Sequence, residues 1–205
     1  MNNKKVISSI VVVLILGVLY WFVSSEQQIT NYPSSGTGII AFGDSLVAGV
    51  GATEGSSFVD ILEQEIGQPI LNLGVPGDTT IDGLARIESV TRRNPEVVML
   101  LLGGNDALRR ISKEETRANL YSLISEIQES GAVVVLLGVR GGLLGDGYKD
   151  MYEDLSRELG TAYVSDVLKG LFGKVEFMSD SVHPNNKGYA YIAQRVLPVL
   201  ESVIK

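Results

Sequence analysis

Residues 39–46 read Ile39-Ile40-Ala41-Phe42-Gly43-Asp44-Ser45-Leu46, four apolar residues running into a glycine and a polar pair. A run that is apolar on both faces reads as a strand inside a parallel sheet, and the glycine after it opens a turn that carries Ser45. Runs of the same kind recur at Ile70-Leu71-Asn72-Leu73, residues 97–102, residues 132–137 and Ala162-Tyr163-Val164. Helical periods fill the gaps. Ile81, Leu84 and Ile87 mark one, and Leu120, Leu123, Ile124 and Ile127 mark another behind a capping box at Ser112 and Glu115. Met151, Tyr152, Leu155 and Leu159 mark a third, and Ile192, Val196, Val199 and Val203 end the chain with a fourth. Strands alternating with helices imply right-handed βαβ crossovers, hence a three-layer α/β/α sandwich around a parallel five-stranded sheet. Ligands in such sheets bind beyond the carboxyl ends of the strands, where Ser45 falls.

Composition narrows the chemistry. The 205 residues contain no cysteine and a single histidine, His183. Disulfides, thiolate metal sites and a cysteine nucleophile are excluded, and any imidazole acid or base must be His183. Formal charge is −7, which argues against a phosphate-binding surface for nucleic acid. Mean hydropathy is +0.20, in the range of a chain able to bury a core.

Hydropathy is concentrated at the start. Residues 6–23, VISSIVVVLILGVLYWFV, hold no charge over 18 positions and follow Lys4 and Lys5. That length suits a membrane span better than the apolar region of a cleaved signal, which runs to about 7–15 residues. With the lysines inside and Tyr20, Trp21 and Phe22 at the far interface, residues 1–23 are expected to anchor the chain and leave the remainder outside the cytoplasmic membrane. Cleavage near Val23-Ser24-Ser25, releasing a secreted or periplasmic protein, is the competing reading. Residues 24–38 are polar, contain Pro33, Gly36 and Gly38, and read as a linker; residues 39–205 form the one domain.

Three further strings sit at strand ends. Gly74-Val75-Pro76-Gly77-Asp78-Thr79-Thr80 follows the second strand, with a Thr79/Asp82 capping box behind it and backbone N–H groups able to line the crevice. Gly103-Gly104-Asn105-Asp106 follows the third, where the Asn105 carboxamide offers two donors. Asp180-Ser181-Val182-His183-Pro184 precedes the last helix, and a carboxylate three residues before an imidazole can fix its tautomer and stabilise its charged form. Each string alone is an ordinary cap or turn. Together they supply what acyl transfer requires: a nucleophile (Ser45), a base (His183), its orienting acid (Asp180) and an oxyanion donor (Asn105).

FGDSL at 42–46, PGDTT at 76–80 followed by GLAR at 83–86, LLGGNDALR at 101–109 and DSVHPN at 180–185 resemble the SGNH (GDSL) hydrolase family. More narrowly they resemble bacterial periplasmic acyl hydrolases described as thioesterase, lysophospholipase and arylesterase. The resemblance implies a flavodoxin-like SGNH fold, Ser45, Asp180 and His183 as the catalytic residues, and an oxyanion hole made by the Ser45 and Gly77 backbone N–H groups with the Asn105 side chain. It implies no cofactor and no metal, and substrates among small acyl esters, thioesters or lysophospholipids. Two features depart from it, namely the apolar N-terminus with its linker and the glycine-rich loop at residues 140–147, which stands where such relatives shape the acyl pocket. A carbohydrate acetyl esterase would use the same residues. A non-catalytic tethered binding module would have lost the nucleophile or base, and a metal-dependent phosphoesterase would need Asp44, Asp78, Asp106, Asp180 and His183 to converge as ligands.

Overall fold

The computed structural model describes residues 28–139 and 147–204. In chain order these form β1 (Ile39–Gly43), α1 (Ser45–Ala48), α2 (Phe58–Ile66), β2 (Ile70–Gly74), α3 (Thr80–Ala85), α4 (Glu88–Thr91), β3 (Val97–Leu101), α5 (Gly104–Leu108), α6 (Lys113–Glu129), β4 (Val133–Leu137), α7 (Gly147–Leu159), β5 (Ala162–Val164) and α8 (Asn186–Glu201). The five strands pair in parallel in the order β2-β1-β3-β4-β5. The chain moves from β1 outward to β2, then crosses back over β1 to β3. Right-handed crossovers put helices on opposite faces when the direction of travel reverses, and the crevice opens at that reversal.

Alternation along the strands sorts the core into two layers. Ile39, Ala41, Val97, Met99, Val133 and Val135 meet Phe58 and Leu62 of α2 and Tyr189, Ile192 and Val196 of α8. Ile40, Phe42, Val98, Leu100, Val134 and Leu136 meet Leu120, Leu123 and Ile127 of α6 and Met151, Tyr152 and Leu155 of α7. β1, β3 and β4 are buried at every position, which is why their sequences are apolar on both faces. The edge strand β2 is exposed at Leu71 and Asn72.

The expected helices at 120–127, 151–159 and the C-terminus are present. The Ile81, Leu84, Ile87 stripe is different. Ile81 is 51% exposed, and Thr80 and Gly83 face inward instead, because the Thr80 hydroxyl and N–H both donate to the buried Asp106 carboxylate. Helix α2, which the sequence periods above do not include, starts at a complete capping box between Ser57 and Asp60. Among the described residues no helix is long and apolar enough to cross a membrane. The candidate span at residues 6–23 and the loop at residues 140–146 lie outside the described residues.

Residues 28–37, inside the stretch expected as a linker, contain no helix or strand but lie along the base of the sheet. The Thr30 N–H donates to Gly160 O (2.8 Å) ahead of β5. The Asn31 amide donates to Gln128 O (2.7 Å) and Ala132 O (3.0 Å), and the Ser34 hydroxyl to Gly131 O (2.9 Å), all ahead of β4. The Thr37 N–H donates to Asn94 O (2.8 Å) ahead of β3, and the chain then enters β1. This strap therefore crosses the amino-terminal edge of the sheet from β5 to β1.

Gly36 marks the tightest approach, since a Cβ there would stand 2.1 Å from Pro95 O, a backbone atom that cannot swing aside. Gly36→Ala is expected to lower stability by about 1–3 kcal/mol, the usual cost of overpacking, read as a lower denaturant midpoint. Activity per folded molecule should not change, and an equal loss of both would mean that strap and site are coupled.

Candidate active site

Ser45 is the first residue of α1, directly after β1. Asp44 caps this helix, its Oδ1 accepting from the Leu46 N–H at 2.9 Å. Gly77 and Asn105 follow β2 and β3, and Asp180 and His183 follow β5. All five residues named from sequence reach the carboxyl edge of the sheet, and all but Asp180 line one cavity there.

His183 Nε2 lies 3.1 Å from Ser45 Oγ, across 138 positions of sequence, and His183 Nδ1 lies 2.7 Å from Asp180 Oδ2. A carboxylate can only accept, so Nδ1 carries the hydrogen and Nε2 is left with its lone pair towards the serine. Asp180 Oδ1 also accepts from the Val182 and His183 N–H groups, each at 2.8 Å. The His183 hydrogen bond, followed by these two, holds the Asp180 carboxyl down to about 2, so it is ionised at neutral pH.

A latch holds the histidine loop against the serine turn. The Tyr189 hydroxyl of α8 donates to Val50 O (2.8 Å), Asn186 Oδ1 accepts from the Thr53 N–H (2.9 Å), and the Asn186 amide donates to the Thr53 hydroxyl (2.8 Å). Gly51, at φ +96°, makes the approach possible, because a Cβ there would lie 2.4 Å from Pro184 O and 3.2 Å from His183 Cβ.

The Asn105 amide nitrogen donates to Asp78 O at 2.9 Å and lies 3.3 Å from Asp44 Oδ2. Gly77 precedes Asp78 at φ +90°, its carbonyl accepting from Arg109 Nη2 at 2.7 Å. Buried Asp106 and half-buried Arg86 brace this loop. Asp106 accepts from Thr80 and, at 3.4 Å, from the Thr116 hydroxyl, tying the Gly77 loop to α5 and α6. Arg86 stacks over the Phe42 ring (4.1 Å), pairs with Asp78 (2.6 Å), and donates to Leu73 O and Gly43 O (2.9 Å each). Its sequence signal is its place at the end of the GLAR string.

The cavity is about 370 Å³, with walls of Leu46, Val50, Pro76, Leu108, Leu168 and Phe172 and a floor of Ser45, Asn105 and His183. A wall of this kind suits an acyl chain. Asp78 and Asp106 turn their carboxylates away to Arg86 and Thr80, and among the described residues no three His, Asp or Glu side chains group as a metal site.

A parallel-sheet sandwich with a serine, an imidazole and a carboxylate in line beside an apolar cavity defines, as a class, the serine hydrolases of ester bonds. A family model described as GDSL-like lipase/acylhydrolase matches residues 41–191, and the chain belongs to that family. It is similar to the arylesterase of Vibrio mimicus, 30% identical over 191 residues that cover 87% of this chain and 92% of the relative. It is also similar to esterase TesA of Pseudomonas aeruginosa, 27% identical over 81% of this chain and 89% of the relative. A crystal structure of TesA matches with a TM-score of 0.76 at 27% identity, covering 82% of this chain and 99% of that one.

Burial pushes the Asp44 carboxyl up to about 7 from its ordinary 3.8, against the opposing pull of the Leu46 N–H and of His183. The native state thus binds this proton more tightly than the unfolded chain. The stability Asp44 contributes is complete below about pH 3.8 and is lost as pH rises to about 7. Asp44→Asn keeps an oxygen for the Leu46 cap and removes the titration. Its stability relative to the parent, followed by denaturant midpoints from pH 4 to 8, should rise with pH and level off above 7, by on the order of 4 kcal/mol at most. A difference that stays constant across the range would show an Asp44 that titrates alike in both states.

Proposed function

We propose that this chain hydrolyses acyl esters and thioesters in two steps through an acyl-enzyme on Ser45. The unbroken line from Ser45 Oγ through His183 to Asp180, at 3.1 and 2.7 Å, carries this reading. Ser45 Oγ attacks the carbonyl carbon as its proton passes to His183 Nε2, and ionised Asp180 stabilises the imidazolium. The imidazolium then protonates the departing alkoxide or thiolate, leaving the acyl group on Ser45. Water, deprotonated by the same nitrogen, attacks the acyl carbon, and the imidazolium returns that proton to Ser45 Oγ as the acid departs.

The negative oxygen of each tetrahedral intermediate takes donors from the Ser45 and Gly77 N–H groups and the Asn105 amide. The long 3.3 Å contact from Asn105 to Asp44 is the one the oxyanion replaces, while the 2.9 Å bond to Asp78 O keeps the carboxamide oriented. The apolar walls support acyl chains as the group held, and the related arylesterase and esterase support an ester as the bond cleaved. No cofactor is required by these steps. The uncharged stretch at residues 6–23 behind Lys4 and Lys5 supports a single-pass anchor with the domain outside the cytoplasmic membrane, and a cleaved, exported form is the alternative.

Ser45→Ala should abolish both ester hydrolysis and labelling by a serine-directed phosphonate while leaving the circular dichroism spectrum unchanged. Labelling that persists would move the nucleophile elsewhere. Asn105→Ala should lower kcat about 100- to 1,000-fold with little change in KM, as for loss of one oxyanion donor. A loss under about tenfold per active site, titrated with phosphonate, would remove Asn105 from the mechanism, since a donor is worth far more.

A further inference from the structure

The strap and the site occupy opposite edges of the sheet. Thr30, Asn31, Ser34 and Thr37 bond to the loops that enter β5, β4 and β3, whereas Ser45, Gly77, Asn105 and His183 all follow strand ends. The chain reaches the strap at Gln28, whose carbonyl packs beside Gly160 at the foot of β5. Only residues 24–27 separate it from the end of the apolar stretch at Val23. Fully extended, the five steps from Val23 to Gln28 reach about 18 Å. A domain of about 170 residues has a radius of gyration near 15 Å and hence a diameter of roughly 40 Å. Thr37 of the strap and Ser45 are eight residues apart along the line of β1, about 26 Å at 3.3 Å each, so with the cavity mouth on the bilayer the strap would stand roughly 25 Å or more above it, out of reach of that tether.

From this we propose that the anchored enzyme stands with its strapped base towards its own bilayer and its catalytic mouth away from it. Its substrates are acyl esters that arrive through the aqueous phase, and lipids of the membrane that holds it are beyond its reach. The inference rests on the Ser45 reading and on residues 6–23 as anchor. It adds a restriction that neither contains, because a longer tether would let the same site work on the same surface.

The test uses full-length protein in phosphatidylcholine vesicles. One probe is 4-methylumbelliferyl butyrate in solution, and the other carries the same butyryl ester on a short linker from a phospholipid headgroup in the same vesicles. The bond broken is identical, so reach alone differs. The headgroup-borne ester should be cleaved at least tenfold more slowly than the soluble one. Inserting about 30 Gly/Ser residues between Gln27 and Gln28 gives a tether with a root-mean-square length of about 30 Å and a far longer contour. This insertion should raise the headgroup-borne rate about tenfold and leave the soluble rate unchanged. Equal rates for the two probes on the unaltered chain, or a slow headgroup-borne rate that the insertion fails to raise, would overturn the proposal. Flotation with the vesicles reports separately on the anchor, and soluble-ester activity of Ser45→Ala reports separately on the site. Protein that fails to float overturns the anchor, and this orientation with it.

Discussion

The carboxyl ends of β1, β2 and β3 stop at one level, Gly43 paired with Gly74 on one side and Leu101 on the other, and the site hangs from that level. Arg86 secures it. Its guanidinium takes the last carbonyls of β1 and nearly the last of β2, stacks on Phe42 and grips Asp78, so the turn bearing Ser45 and the loop bearing Gly77 share one brace. Buried Asp106 does the same between the Gly77 loop and the helix of Asn105. Neither residue has to touch a substrate for the reacting atoms to depend on it. Positioning of this sort is where small displacements become large losses of rate.

Much of the fold could be read in the chain because its central strands are buried on both faces. β1, β3 and β4 can hold only apolar residues, and they announce themselves as uninterrupted runs. Reading by periodicity failed where polar groups set the packing. Thr80 turns inward to answer Asp106, so Ile81 is left outside, against the pattern of its apolar neighbours. Residues 28–37 dock through side chains bonded to distant carbonyls, which leave no hydrophobic period to find. Helix α2 did carry a signal, the Ser57-x-x-Asp60 cap ahead of Phe58, Val59 and Leu62.

The candidate site was legible for a related reason. Ser45, Asn105 and His183 fall immediately after strands or before a helix, and a parallel sheet brings all such positions to one edge whatever their separation in sequence. The partners that hold them were not legible, since Asp44 as a buried acid, the Tyr189 to Val50 bond and the Asn186 to Thr53 pair depend on which loops meet in space. A serine turn and a histidine loop are local features, whereas the latch between them belongs to the fold.

That Ser45 and His183, the proposed nucleophile and base, stand 138 positions apart also bears on how the site comes into being. Ser45 belongs to the first turn after the first strand, and His183 to the last loop before a helix that fills one layer of the core. A growing chain therefore carries its serine long before it carries anything to activate it. Until the His183 loop has emerged and α8 has packed against α2 to hold it, no imidazole faces the serine. Synthesis from the amino end thus leaves the proposed nucleophile without its proposed base until the His183 loop and the helix that holds it have been made.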